Sequence, residues 1–271
     1  MKGTLYGLLG ERLSHSISPQ IHSAIMELSG TKGCYHLFEV ERQSLSDAVR
    51  GLKALGAAGA NVTIPYKSSV MEHMDYISAE AQRIGAVNTI DFSGGMCHGY
   101  NTDYYGFEMM LKRAGIEIKG RSFLLLGTGG AAKAVAACLE DFGSSRILAA
   151  STNQQKAKET LSGVEIIDYE GIKALGEIDT VVNCTPLGMH PNTESSPLTE
   201  ELLSKFDSAV DLIYNPRRTL FLTQASKRGL KAIDGLYMLV GQAVKAQEIW
   251  NEMKLEQKMV DEVYERVKQL L

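Results

Sequence analysis

Two stretches of the sequence hold residue types that could do chemistry. The first is GANVTIPYK, residues 59–67. In an extended run, side chains alternate between faces, so Val62 and Ile64 point one way and Asn61 and Thr63 the other. One face reads as core and the other as a site. Pro65 donates no N–H and tends to end a strand, so Lys67 falls just past the strand end, where chains commonly present working side chains. A merely solvated lysine after an edge strand is the ordinary alternative. The second stretch is GTGGAA, residues 127–132, which follows the apolar run FLLL and precedes the helical run AAKAVAACLEDFG. This GxGxxA spacing lets a pyrophosphate approach the backbone, and a following helix offers free N–H groups and the positive end of its dipole. Its place between a buried strand and a helix favours dinucleotide binding over a merely structural turn. Binders of NAD usually carry an acid at the tip of the second strand, and binders of NADP an arginine nearby. Here the tip reads ILAASTNQQKAK, with neither. Ser151, Thr152 and Asn153 can hydrogen-bond a phosphate and Lys156 can supply charge, so the missing acid favours NADP, with NAD left open.

The elements that must position these residues alternate between strand-like and helix-like runs, the pattern of an α/β protein with largely parallel sheets. LYGLLG reads as a strand. SPQIHSAIMELSG reads as an amphipathic helix with Ser18 as N-cap, Pro19 at its first position and Gly30 as its stop. CYHLFEV, a helix over SLSDAVRGLKALG, and the strand ANVTI follow. AVNTIDFSGGMCHGYNTD reads as a hairpin turning at Ser93-Gly94-Gly95, with Asn88 and Asp103 delivered on its two ends. From Arg121 the runs RSFLLLG, SSRILAAS, VEIIDY, DTVVNCT, SAVDLIY and LKAIDG read as parallel strands. These runs place a domain boundary near residue 103, with a first α/β domain over 1–102, a Rossmann-like, doubly wound dinucleotide-binding domain over 103–235, and a C-terminal helical segment over 236–271 that breaks near Trp250 to Met253. HPNTESSPL, residues 190–198, is polar and bracketed by prolines, and is expected as a mobile loop.

Composition excludes several classes. The 271 residues carry a formal net charge of -4, so no basic surplus points to nucleic acid. Four cysteines stand far apart without CxxC spacing, which disfavours zinc knuckles and disulfide frameworks and fits a reducing cytoplasm. No run approaches the roughly 18 apolar residues of a membrane span. His15 and His22 have no carboxylate or second histidine at ligand spacing, so they read as local hydrogen-bond partners, and no metal site is expected.

Eight motifs then occur in order: SHSISPQIH (14–22), GANVTIPYK (59–67), GAVNT (85–89), GYNTD (99–103), GTGGAAKA (127–134), NCTPLGM (183–189), DLIYNP (211–216) and DGLYMLVGQA (234–243). Together they resemble the shikimate dehydrogenase family nearly from end to end. The resemblance implies reversible, NADP-dependent reduction of 3-dehydroshikimate to shikimate, in the part of aromatic amino-acid biosynthesis that leads to chorismate. It implies that Ser16 and Ser18 hold the substrate carboxylate, and that Thr63, Lys67, Asn88, Asp103 and Gln242 hold the ring hydroxyls, with Tyr214 close by. Lys67 and Asp103 are the implied catalytic pair, the ammonium giving its proton to the forming alkoxide and the carboxylate orienting it. Asn61, Thr63 and Lys67 would then line a polyol pocket, and the resemblance makes 1–102 the substrate-binding catalytic domain, to which the helical segment 236–271 returns. On the cofactor side the resemblance implies Gly127, Thr128, Gly129, Gly130 and Ala131 around the pyrophosphate, Ser151, Thr152, Asn153 and Lys156 at the adenosine end, and Met189, Leu212 and Gly235 at the nicotinamide.

The sequence departs from the family pattern at several points. Ser151-Thr152-Asn153 replaces the usual Asn-Arg-Thr, which removes the guanidinium that grips a 2′-phosphate. Tyr104 and Tyr237 stand where many relatives have glycine, and could narrow the cleft or alter domain closure. Trp250 is followed by NEMKLEQK, a longer helical tail that could support a homodimer or simply be a solvated charged face. One alternative function is an NAD-dependent quinate/shikimate dehydrogenase, favoured by the missing arginine and disfavoured by Ser18, where quinate-preferring relatives often carry threonine. Another is a non-catalytic, shikimate-binding regulator, which should have lost the lysine and aspartate that this chain keeps.

Overall fold

The structure, a computed structural model, describes residues 4–271, so residues 1–3 of the expected first domain lie outside it. The chain divides into two compact units, one running to Gly106 and including Val240–Leu270, the other Phe107–Leu239. The first unit begins β1 (Thr4–Gly10), α1 (Ser18–Ser29), β2 (Gly33–Glu39), α2 (Leu45–Ala54), β3 (Gly59–Val62), β4 (Tyr76–Ile77), α3 (Ala79–Ile84), β5 (Thr89–Asp91) and β6 (His98–Tyr100). Its sheet has the order β2-β1-β3-β5-β6-β4. The pairs β1/β2 and β1/β3 are parallel, while β3/β5 and β5/β6 are antiparallel. The pair β4/β6 is parallel as well, so three of the five pairings are parallel and two antiparallel. The antiparallel β5/β6 pair follows from the Ser93-Gly94-Gly95 turn, where Gly94 and Gly95 take φ of 63° and 72°, a region open to glycine. Such a short connection can only join antiparallel strands.

Helix α1 buries Ile21, His22, Ile25 and Met26 and ends at Gly30 in the left-handed region. Its start differs from expectation. Ile17 occupies the cap position and Ser18 lies inside the first turn, where its N–H donates to the Ser16 hydroxyl at 3.3 Å. Strand β3 stops at Val62, short of the expected Ile64.

Helix α4 (Thr102–Ala114) carries the chain into the second unit, which continues β7 (Ser122–Leu126), α5 (Gly130–Asp141), β8 (Arg146–Ala150), α6 (Gln154–Thr160), β9 (Glu165–Ile167), β10 (Ile178–Asn183), β11 (Phe206–Asp211), α7 (Leu220–Lys227) and β12 (Lys231–Ile233). Its six strands are all parallel, in the order β12-β11-β10-β7-β8-β9. That is the doubly wound dinucleotide-binding order, whose direction reverses between β7 and β10. The central strands are apolar along their length because both faces are covered, with Phe123, Leu124, Leu125 and Leu126 fully buried. Only short 3-10 turns, Gly171–Ala174 and Glu200–Lys205, stand where further crossover helices would be. The 190–198 stretch is anchored at its end, with Leu198 in the core and the Ser196 hydroxyl bonded to the Leu198 carbonyl at 2.7 Å.

Helix α8 (Leu236–Trp250) brings the chain back to the first unit, and α9 (Gln257–Lys268) follows. Trp250 locks α8 there: its indole N–H donates to the Ile90 carbonyl at 2.8 Å and its ring stacks on Tyr6 at 5.0 Å. Gly59 makes room for that ring, since a Cβ at this position would lie 2.0 Å from the indole nitrogen. Helix α9 buries Val260, Val263 and Val267 and packs against α1, with Arg266 paired to Glu27 at 3.2 Å. Its three buried valines are thus used within the chain. Among the described residues, no helix is long and apolar enough to cross a membrane.

Candidate active site

In the first unit, Lys67 lies past a turn that follows β3, in which the Tyr66 N–H donates to the Thr63 carbonyl at 2.9 Å. The Lys67 carbonyl accepts from the Val87 N–H at 2.7 Å, which fixes the lysine beside Asn88. Its ammonium donates to Asp103 Oδ2 at 2.6 Å, both side chains being largely but not wholly buried. Asp103 sits in the first turn of α4 and does not cap it. The cap belongs to Asn101, whose Oδ1 accepts from the Tyr104 N–H at 3.4 Å, leaving the Asp103 carboxylate to the lysine.

Asn88 is buried and its orientation is determined. Its Oδ1 accepts from the Thr102 N–H at 2.7 Å, the Thr102 hydroxyl at 3.2 Å and the Thr89 hydroxyl at 3.1 Å. A backbone N–H can only donate, so the amide oxygen must face it and the Nδ2 hydrogens point the other way, available to a ligand oxygen. The Thr102 hydroxyl also lies 3.4 Å from Gln242 Oε1 on α8, so Gln242 is tied into this cluster rather than simply solvated. Ser16 and Ser18 meet each other, Oγ to Oγ at 3.0 Å.

Asn61 does not line a pocket. It is buried, accepts from the Tyr35 hydroxyl at 2.8 Å and donates to the Thr89 hydroxyl at 3.0 Å. Burial holds the Tyr35 pKa well above that of an ordinary phenol. A continuous polar chain therefore runs Tyr35, Asn61, Thr89, Asn88, Thr102, Gln242. Tyr35, Thr89 and Thr102 were not anticipated from the sequence; the available signal was hydroxyl-bearing residues flanking the motif residues. His22 lies beneath this chain, stacked on Tyr35 at 3.9 Å and paired through Nδ1 with Gln247 at 2.9 Å. Burial pushes its pKa down to about 3, so it is a neutral core imidazole.

In the second unit, the cofactor candidates all follow the carboxyl ends of strands: Gly127 after β7, Ser151 after β8, Met189 after β10, Leu212 after β11 and Gly235 after β12. Ligands of open α/β sheets bind along that edge. Gly127 is required by the chain itself, with φ of 89° and a Cβ that would lie 2.7 Å from Thr185 Cγ2. Gly129 and Gly130 are not: neither has a left-handed φ, and a Cβ on either would meet nothing within 4 Å. Neither strain nor packing explains these two glycines, whereas a ligand lying against the loop does. Ser151 is buried beneath the adenosine-side candidates, 3.4 Å from the Thr128 hydroxyl, and accepts from the Asn153 N–H at 3.2 Å. Asn153 Oδ1 caps α6 by accepting from the Lys156 N–H at 3.0 Å, while Thr152 and Lys156 are exposed. Leu212 and Gly235 touch directly, since a Cβ on Gly235 would lie 2.2 Å from the Leu212 carbonyl oxygen. Met189 is 47 % exposed, which removes the core-methionine alternative. Tyr214 belongs to this unit, half-buried, with burial raising its phenol pKa. Tyr104 and Tyr237 are both buried, Tyr104 against Tyr105 and Tyr237 beneath the Arg113 guanidinium.

Comparison with known proteins gives one concordant result. Residues 8–90 match the family model described as the shikimate dehydrogenase substrate binding domain. A "Shikimate dehydrogenase (NADP(+))" of Clostridium perfringens is 46 % identical over 266 residues, 97 % of this chain and 98 % of that protein. Among solved structures, a chorismate mutase/shikimate 5-dehydrogenase fusion protein from Clostridium acetobutylicum is similar at a TM-score of 0.97 and 45 % identity, covering 99 % of this chain and 98 % of that one. The shikimate 5-dehydrogenase of Thermus thermophilus, in complex with NADP(H) and shikimate, is similar at a TM-score of 0.88 and 33 % identity, covering 97 % of this chain and 99 % of that one.

Proposed function

The chain belongs to the shikimate dehydrogenase family, and from that premise we propose that it reduces 3-dehydroshikimate to shikimate with NADPH, reversibly, on the route to chorismate. The observation that carries this is the Lys67 ammonium held 2.6 Å from the Asp103 carboxylate in a largely buried setting, beside an Asn88 amide whose donor end is free. When bound, NADPH supplies a hydride to the carbonyl carbon. Lys67 stabilises the negative charge that develops on the carbonyl oxygen and gives it a proton, and in the reverse direction takes that proton back. Asp103 keeps the ammonium aimed by occupying one of its three N–H groups. The Asn88 Nδ2 hydrogens, Thr63 and Gln242 orient the ring hydroxyls. Ser16 and Ser18, at the N-terminal end of α1, donate to the substrate carboxylate, where the helix dipole favours an anion.

The cofactor fits the residues present. Gly129 and Gly130 leave the βα loop open to a pyrophosphate, at the amino end of the twelve-residue α5. At the adenosine end Ser151, Thr152, Asn153 and Lys156 stand in for the missing arginine, and the segment 151–156 itself carries no acidic residue. We assign the enzyme to the cytoplasm, which the four unpaired cysteines support. The test is to follow the absorbance of reduced nicotinamide with shikimate or quinate, each offered with NADP or NAD. Activity confined to shikimate with NADP is expected. Better activity with quinate, or with NAD, would overturn the assignment.

A further inference from the structure

Asn183 and Asp211 face each other in register at the carboxyl ends of β10 and β11, two buried polar residues closing otherwise apolar central strands. The Thr185 N–H donates to Asn183 Oδ1 at 3.0 Å, so the Asn183 amide must turn its Nδ2 toward Asp211 Oδ1, at 3.0 Å, and the Leu187 carbonyl, at 3.2 Å. Asp211 Oδ1 also accepts from the Ile213 N–H at 3.0 Å, and its Oδ2 accepts from the Thr219 hydroxyl at 2.7 Å, the group that caps α7. One carboxylate thus gathers three donors from three segments. What they hold is specific: the Leu212 N–H donates to the Asn183 carbonyl at 3.1 Å, and the Gly235 N–H donates to the Ile213 carbonyl at 3.0 Å.

We infer that Asp211 is a positioning residue for the nicotinamide end of the cofactor, acting through Asn183 on residues 185–189 and through the Ile213 peptide on Leu212 and Gly235. The inference rests on the proposed reading of Met189, Leu212 and Gly235 as the nicotinamide wall. A hub needed only for folding could be neutral. Asp211 instead has no cation among its hydrogen-bond partners, and burial raises its pKa to about 6, with Asp234 adding to the rise. Asp234 is itself paired with Arg217 at 2.9 Å, and the neighbouring Cys184 thiol is pushed up by burial and by the Asp211 charge. Ionised, the carboxylate accepts all three bonds; protonated, Oδ1 still accepts from Asn183 and Ile213, but Oδ2 must donate to the Thr219 hydroxyl, which reverses that bond and leaves the hydroxyl proton without its acceptor.

The test uses the purified full chain, Asp211→Ala and Asp211→Asn, with binding of NADP measured by calorimetry beside 2′-phospho-ADP-ribose, which lacks the nicotinamide and carries the same 2′-phosphate. Asp211→Ala should weaken NADP about tenfold or more while leaving the fragment and the KM for shikimate within about threefold, the scale of one or two lost hydrogen bonds. Asp211→Asn, which keeps the acceptor for Ile213 and Asn183, should restore NADP binding to within about threefold of wild type at pH 7.5. In wild type the NADP-to-fragment affinity ratio should fall about threefold as pH drops through about 6, to the level that Asp211→Asn, the neutral isostere of the protonated carboxyl, holds unchanged across the same range. This pH comparison decides the matter if Asp211→Ala does not fold. Equal losses for NADP and fragment, no loss at all, or a ratio with the same pH dependence in both proteins would overturn the inference alone. A wild type that binds neither ligand would overturn the functional reading and this inference with it.

Discussion

Replacing Asp211 by asparagine should change stability in a way that depends on pH with a calculable sign. The carboxyl is fully buried, and its pKa rises from 3.8 to about 6 on folding. The folded state therefore binds the proton more tightly than the unfolded state, so stability is greatest below the unfolded value and falls as pH rises through the folded one. A rise of that size costs the native state about 3 kcal/mol once both states are ionised, with about half of that cost already present at pH 5. Asparagine titrates nowhere in this range. The stability of Asp211→Asn relative to wild type should accordingly improve by about 1.5 kcal/mol between pH 5 and pH 8. Any loss from the altered contact with Thr219, about 1 kcal/mol, is a constant offset that the pH comparison removes. Urea denaturation followed by far-UV circular dichroism at both pH values measures the difference directly. A relative stability that stays constant within about 0.3 kcal/mol, or moves the other way, would refute the argument that an ionised carboxylate is held there against its desolvation cost.

Lys67→Ala should lower kcat about 100-fold or more, with a smaller change in the KM for shikimate, as expected for a lost proton donor. Near-normal turnover would remove the lysine from the chemistry. Gly129→Ala should separate binding from folding: with φ of -78° and open space around the new Cβ, the melting temperature should move by no more than about 2 °C while NADP affinity drops about tenfold. Unchanged NADP affinity in a calorimetric titration would mean that nothing lies against that loop. Thr152→Arg, at an exposed position of the adenosine-side loop, should lower the KM for NADP and leave that for NAD nearly untouched; an equal effect on both would sink the idea that a phosphate sits beside residue 152.

Local patterns expose the elements and conceal what joins them. FLLL, ILAA and TVVN read as buried parallel strands because both faces are apolar, and they are strands β7, β8 and β10. Alternation in GANVTI assigns Asn61 to a face, but parity says nothing about what covers that face. Tyr35, from β2, reaches Asn61 and converts a supposed pocket residue into a support. The cap of α1 went to Ile17 because Ser16, two residues before Ser18, takes the hydroxyl role. Asn88 and Asp103 are visible as the ends of a hairpin, whereas Thr102, which orients Asn88 and reaches Gln242 on α8, depends on a contact far apart in sequence. Asn183 and Asp211 could have been noticed as polar endings of apolar strands. Their pairing is a matter of register between β10 and β11, which no local window contains.

The first unit is written in two instalments, up to Gly106 and again from Val240 to Leu270, with the whole of Phe107–Leu239 between them. During synthesis the nucleotide-side sheet, continuous in sequence, is therefore available to fold while its neighbour still waits for a missing piece. Until that piece arrives, Tyr6 has no Trp250 to stack on, the Ile90 carbonyl no indole to accept from, and His22 no Gln247. The cluster of Tyr6, Leu8, Leu13, Met26 and Tyr35 that Ala246 and Trp250 complete stays open to water for the interval in which about 130 residues are added, which at typical elongation rates is on the order of ten seconds. The core on residues 9–97 draws on nothing from the second instalment, so a chain cut short before residue 240 would leave a first unit with one core formed and the other lacking its lid.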